Sequence, residues 1–464
     1  MRSDTKSSAA PVVPGRHRHP LAALRSQAGF THGEYARLIA RTHAELGFGH
    51  MAARREKVSR WESSRAVPER TAQLAIAHIH AVPEEEVLRL DWPDWLHLAN
   101  GDARQLELPW TRSAVPEAIL DAVAERRQPQ QEYLMATGWA ARSLVESWLD
   151  AVAEEVAKAP ADPPRSPVGL LRGPGDAHAT GSLLEACTRL RTLHRFARKF
   201  TASWLVPASE LELRHLADHF LAEPAALNTS REVLVLAAEG LSVCGFIARL
   251  QGEHVSAQRY YVAALRCATA AADPEVAAAI VTLHAGQYLD LELHEEAAAL
   301  LESVWKLLYG QRVTITDPAL EALLHAQSAR VHAQRGDDLG RRRALAAGRR
   351  AMATGTARAG LPILPIRCEG WINCMDAVSL LDMKQPDRAI KHFDPVLSQQ
   401  RPLLHLPPSV RAMYLLRAAE AQVALGDVDA GADSAEKATA LLGGVQAAAA
   451  ERVRIALRAA TGTV

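Results

Sequence analysis

The densest run of groups able to do directional chemistry lies between residues 54 and 60, where Arg54, Arg55, Glu56, Lys57, Ser59 and Arg60 crowd around Val58. Arg and Lys donate to guanine O6 and N7, a carboxylate accepts from a cytosine amino group, and cations and hydroxyls hold phosphates. On a solvated helix the same run would be only a charged face. The surroundings favour nucleic acid. Residues 1–70 carry 13 Lys and Arg against six Asp and Glu, a surplus of seven, and because the chain balances at 53 of each sign the remainder carries the matching deficit. A basic head on an acidic body suggests a nucleic-acid-facing module joined to a part with another task.

Other clusters carry less. His215 and His219 stand at i, i+4 with Glu212 and Asp218 nearby, a zinc-compatible spacing for which no third ligand can be named. The GPGDAHATGS run at 173–182 has glycines but no following Lys, so it lacks the phosphate-cradling pattern. Five cysteines (Cys187, Cys244, Cys267, Cys368, Cys374) are an odd, scattered set without a CxxC, and read as small buried hydrophobes. No GxSxG or HExxH occurs, so an enzyme is the weaker class and neither a cofactor nor a metal is expected.

The elements that must position these residues are helical. Composition is 48% hydrophobic with 5% aromatic and is rich in Ala, which favours an all-α chain. No apolar run approaches the roughly 18 residues of a membrane span, and the opening residues have no apolar signal region, which points to a cytoplasmic protein without a membrane partner. The length suggests two or three domains. Residues 1–19 read as a disordered basic arm, 20–98 as a head of short helices, 99–176 as a helical connector with a Pro/Gly-rich hinge at 159–176, and 177–464 as paired helices. Thr31 and Glu34 stand at capping-box spacing and fix the start of the second helix. In the body, the expected pairs are 231–251 with 254–272, 274–292 with 295–309, 318–335 with 339–353, 363–382 with 386–399, and 408–425 with 428–442. Their turns fall at Gly252, Leu293, Gly336, Lys384 and Gly426. Asp273-Pro274 and Asp317-Pro318 each place a cap acceptor before a Pro at the first helical position. Such an array binds extended peptides or partner segments on its concave side, and the first helices offer Arg249, His284, Gln287, Tyr288, His325, Arg330, Asn373, Tyr414 and Arg417 as lining for a peptide, small-molecule or protein effector. Trp305 and Trp371 read as core.

LRSQAGFTHGEYARLI followed by KVSRWESSRAVPE resembles the helix-turn-helix of lambda-repressor-like (Xre) regulators, with Val58 and Trp61 at the inward i, i+3 positions and Pro68 closing the motif. The resemblance implies a recognition helix in which Arg55 and Lys57 contact bases, Glu56 meets a cytosine amino group, and Arg54, Ser59 and Arg60 hold phosphates. ARTHAELGFGHMA, before that helix, is longer than the usual three- or four-residue turn. The later pairs are similar to tetratricopeptide repeats, with QRYYVAAL and DLELHEEAAALLESV the nearest to the pattern, although their spacing exceeds the 34-residue period. EGLSVCGFIARLQGEHVSAQRYYVAALRCATAAADPE looks like the middle of actinobacterial regulators that join both parts and are associated with secondary metabolism. Together these resemblances imply a homodimeric transcription regulator on a double-stranded operator, with an α-solenoid body. The competing reading is an interaction protein that sequesters another regulator and docks it on the head.

Overall fold

The computed structural model describes residues 19–101, 108–124, 135–158, 177–224, 231–310, 315, 317–354, 370–398 and 406–461. The expected arm (up to residue 18) and the 159–176 hinge lie outside the described residues. Every regular element described is a helix, and most helices pack in sequential pairs.

The head comprises α1 (Pro20–Gln27), α2 (His32–Glu45), α3 (Arg55–Glu62), α4 (Arg70–Ile79) and α5 (Glu84–Arg89). The capping box forms as the spacing predicts: the Glu34 amide donates to Thr31 Oγ1 at 3.3 Å and the Thr31 amide to Glu34 Oε2 at 2.8 Å. Leu21, Leu24, Tyr35, Ile39, Val58, Trp61, Ile76 and Trp95 close a core of their own. Helix α5 stops at Arg89 ahead of Pro93, which restricts the residue before it, and the chain resumes as a 3-10 turn at Asp94–Gly101.

The stretch between head and pairs is packed into the larger core. Val115–Ala122 contributes Val115 and Ile119, and Gly138–Lys158 contributes Trp148 and Val152. Trp139 touches both cores.

Five pairs follow: Arg231–Gln251 with His254–Ala270, Pro274–Asp290 with His294–Gly310, Pro318–Gln334 with Asp338–Thr354, Gly370–Asp382 with Pro386–His392, and Pro408–Ala424 with Val428–Leu441. All five turns are built alike. One residue adopts positive φ (Gly252, Glu292, Gly336, Lys384, Gly426), and the next amide donates five residues back, as from Glu253 to the Ala248 carbonyl and from Gln385 to that of Leu380. That is the bonding by which a left-handed residue satisfies the last carbonyls of a helix. In the second pair the reversing residue is Glu292, one position before the expected Leu293. Asp273 and Asp317 cap their helices as expected, accepting from the amides of Val276 and Ala319. The helix expected over 386–399 breaks after His392 into a short Asp394–Leu397 turn, since Pro395 has no amide to continue the ladder.

One expectation is corrected. Arg231–Gln251 is long and apolar enough to cross a membrane, so the sequence does contain such a stretch. In the fold it is a core helix, apolar nearly all round because neighbours cover it on most sides. Gly240 and Gly245 admit those neighbours: a Cβ there would stand 3.1 Å from Leu190 and 3.0 Å from Tyr261.

Candidate nucleic-acid interface and a cavity among the helix pairs

Helix α3 is fixed from one side. Val58 is fully buried and Trp61 is 6% exposed. At its end, Glu62 accepts from Arg25 Nε at 2.6 Å and Nη2 at 3.1 Å, and lies 2.9 Å from His32 Nε2. Arg25 also donates to the Phe30 carbonyl at 2.6 Å, so one nearly buried ion pair ties α1, the α1–α2 turn and α3 together. A buried Tyr35–His80 bond of 2.6 Å links α2 to α4.

The opposite side of α3 meets solvent. Arg54, Arg55, Glu56, Ser59 and Arg60 are exposed and Lys57 is half-buried. Arg55 Nε is 3.0 Å from Glu56 Oε1, an exposed pair that a competing partner can open at little cost. The Glu56 carboxyl lies below the usual range, through its own backbone hydrogen bond first and Arg55 second. The stretch before α3 proves shorter than the sequence suggested: Ala40 to Glu45 belong to α2, which leaves Leu46–Arg54 as the connection. His43 Nδ1 holds that loop at the Gly49 carbonyl, 2.9 Å away, and Phe48 packs edge-on against the same ring.

The second site is a cavity of about 820 Å³ walled by the first helices of all five pairs, Ala177–Ala197 and the last helix, Ala448–Thr461. The C-terminal end closes against the 198–205 loop. Gly443 has positive φ, and a Cβ there would collide with the Thr201 carbonyl. Across the wall runs a ladder of alternating charges. Arg249 Nε meets Asp290 Oδ2 at 2.6 Å, and Asp290 Oδ1 meets Arg330 Nη1 at 3.1 Å. Arg330 Nε then meets Asp382 Oδ2 at 2.8 Å, with Arg417 3.6 Å beyond. Glu420 joins Arg417 at 2.5 Å to Arg452 at 3.0 Å. Burial alone would push the Asp290 carboxyl up, but Arg249 and Arg330 outweigh it and hold it well below the usual carboxylate range. Gly286 makes room for this: a Cβ would lie 2.6 Å from Gln327 Nε2 and 2.8 Å from Arg249 Nη1.

Of the nine residues expected to line an effector groove, Arg249, Arg330, Tyr414 and Arg417 do line the cavity. The other five do not. His284 and Tyr288 point into the core on the other side, where Gln258 binds the Ala136 backbone at 2.6 Å and Tyr288 donates to the Ala136 carbonyl at 2.7 Å. His284 is stacked between Tyr261 and Tyr288. Gln287 is spent on the His254 carbonyl. His325 lines a separate shallow pocket beside Trp305 and Tyr309, and Asn373 accepts from Arg349 at 3.4 Å. Trp371 is buried as expected, donating to Tyr414 at 2.6 Å, whereas Trp305 is only half-buried. His215 lies 3.6 Å from Glu212.

Sequence reasoning missed Asp290, Asp382, Glu420 and Arg452, and the basic face of Ala177–Ala197. One signal was present: Arg249, Asp290 and Arg330 are spaced 41 and 40 residues apart, near the repeat interval and of alternating sign. No protein-family model matches the chain, and no curated protein or solved structure matches it.

Proposed function

We propose that this chain is a sequence-specific DNA-binding transcription regulator of the lambda-repressor-like kind, working in the cytoplasm. In this reading residues 20–98 are its helix-turn-helix head, and the helix pairs form a tetratricopeptide-like solenoid that dimerises and senses an effector. The observation that carries the reading is the two-sidedness of α3: Val58, Trp61 and the Arg25–Glu62 pair anchor it, while its arginines stand in solvent and Lys57 is half-buried beside them. Arg55 and Lys57 then contact bases, Glu56 a cytosine amino group, and Arg54, Ser59 and Arg60 phosphates. Two heads placed about 34 Å apart would match successive turns of a duplex.

The body has a physical route to the head. Ala136, held by Gln258 and Tyr288, leads into Gly138, whose amide meets Glu296 at 3.1 Å, and Trp139, whose amide meets Asp94 of the head at 3.2 Å. Arg89 of α5 lies 5.3 Å over the Trp139 ring. An effector in the cavity acts on this contact only through the difference in its affinity for the two head arrangements.

Selection of duplexes from a randomised library by the full chain tests the reading. A consensus should emerge, and Arg55→Ala or Lys57→Ala should each weaken binding to it by about 5- to 150-fold while relaxing preference at one position. A library that yields no consensus would favour the sequestering reading instead.

A further inference from the structure

We propose that the cavity takes an amphipathic organic anion, its apolar body lying on Val243, Phe246, Met375 and Met413 and its acidic head on Arg191, Arg195 and Arg198. The inference rests on the effector-sensing reading for what occupancy does, and on the cavity alone for what occupies it.

Size comes first. About 820 Å³ lies within the roughly 300–1,000 Å³ of small-molecule sites, whose walls are mainly apolar with a few polar groups that fix orientation. Charge then selects among ligands of that size. Eight Lys and Arg line the cavity against six Asp and Glu, a surplus of two positive charges. The ladder takes up its own carboxylates, since Asp290, Asp382 and Glu420 each stand between two arginines, and its four arginines exceed them by one. Glu292 is taken by Lys384 at 2.8 Å, and Glu239 faces His194 at 3.4 Å.

The lining cations outside the ladder and the Lys384–Glu292 pair all lie at the rim. Arg191, Arg195 and Arg198 follow i, i+4, i+7 spacing on one helix face and its continuation, and all three are exposed. Among the described residues none of the three is ion-paired to a carboxylate; Arg195 donates only to Thr192 of its own helix, at 3.3 Å. Glu232 and Glu239 are the lining carboxylates without a Lys or Arg partner among the described residues, so three arginines stand against two acids there. Like charges at this spacing repel, so an anion bound among them gains more than its own contact. Guanidinium groups also suit carboxylate, sulfate or phosphate heads. A neutral molecule of equal shape would gain the apolar wall alone, and a cation would meet the surplus.

Equilibrium dialysis of the full chain without DNA reads this directly, with labelled dodecanoate, dodecan-1-ol and dodecyltrimethylammonium as probes below micellar concentration. Dodecanoate should bind at least about tenfold more tightly than dodecan-1-ol, with the cation weakest. Arg191→Gln/Arg195→Gln/Arg198→Gln, all exposed positions, should bring dodecanoate to the affinity of dodecan-1-ol. Val243→Trp/Met413→Trp, which fills the cavity, should weaken both. Absence of dodecanoate binding, equal affinity for the three probes, or a preference that survives the triple substitution would overturn the proposal. Because no duplex is present, these outcomes are independent of DNA binding. A chain that prefers dodecanoate yet selects no duplex would refute the regulatory reading alone.

Discussion

His80 and His284 are held neutral inside the folded chain. Burial lowers His80 to about 4, and burial together with the nearby Arg249 lowers His284 to about 3. Both lie below the unfolded value of about 6.5, so the unfolded chain binds more protons over that interval and stability falls as the pH drops from about 6.5 toward 4. Each histidine contributes on the order of 1 kcal/mol of loss per pH unit there. Urea midpoints at pH 7, 6 and 5 should decline steadily, and His284→Asn should flatten the decline. A midpoint unchanged between pH 7 and 5 would contradict neutral burial. Placement was legible where charged residues surround an apolar anchor, as from Arg54 to Arg60, which face solvent with Lys57 half-buried. It was illegible for His284 and Tyr288, because a polar residue on a first helix can face the cavity or the core, and only the fold shows that Ala136 occupies them.

At the scale of elements, the pairs stood out because punctuation and periodicity agree: Asp-Pro starts mark two of the five pairs and glycine turns three. Lys384 was placed at its turn, whereas Glu292 was missed in favour of its neighbour Leu293, since its side chain gives no local hint of a left-handed backbone; the ion pair of Glu292 with Lys384 appears only in three dimensions. The break at His392 was likewise visible in principle, since Pro395 sits inside the expected helix. The join between head and body was not legible, as it depends on Gln258 and Tyr288 gripping a segment more than a hundred residues earlier. Tyr288→Phe removes the hydroxyl that serves the Ala136 carbonyl. Hydrogen exchange at residues 135–139 should accelerate in that variant, with the five pairs unchanged. Uniform acceleration, or none, would mean the join is held elsewhere.

For the whole molecule, reading two half-sites on successive turns of a duplex requires two copies. Trp204 and Leu211 stand seven residues apart near one face of Leu205–Ala222, at 47% and 48% exposure, with Phe196 and Phe200 beside Trp204. Adjacent exposed aromatic and aliphatic groups commonly mark an interface. Sedimentation should show a dimer for the full chain and a monomer for Trp204→Asp/Leu211→Asp, with helical content retained; a wild-type monomer at micromolar concentration would remove the paired-head arrangement. The central claim remains that α3 reads a duplex. Its most direct test is the affinity of the full chain for a selected duplex and for a scrambled one of equal length across a salt series. The account predicts a preference of about 10³ or more that persists at roughly 0.15 M salt, while the scrambled duplex is lost steeply. Equal affinities for the two duplexes, falling together as salt rises, would contradict it.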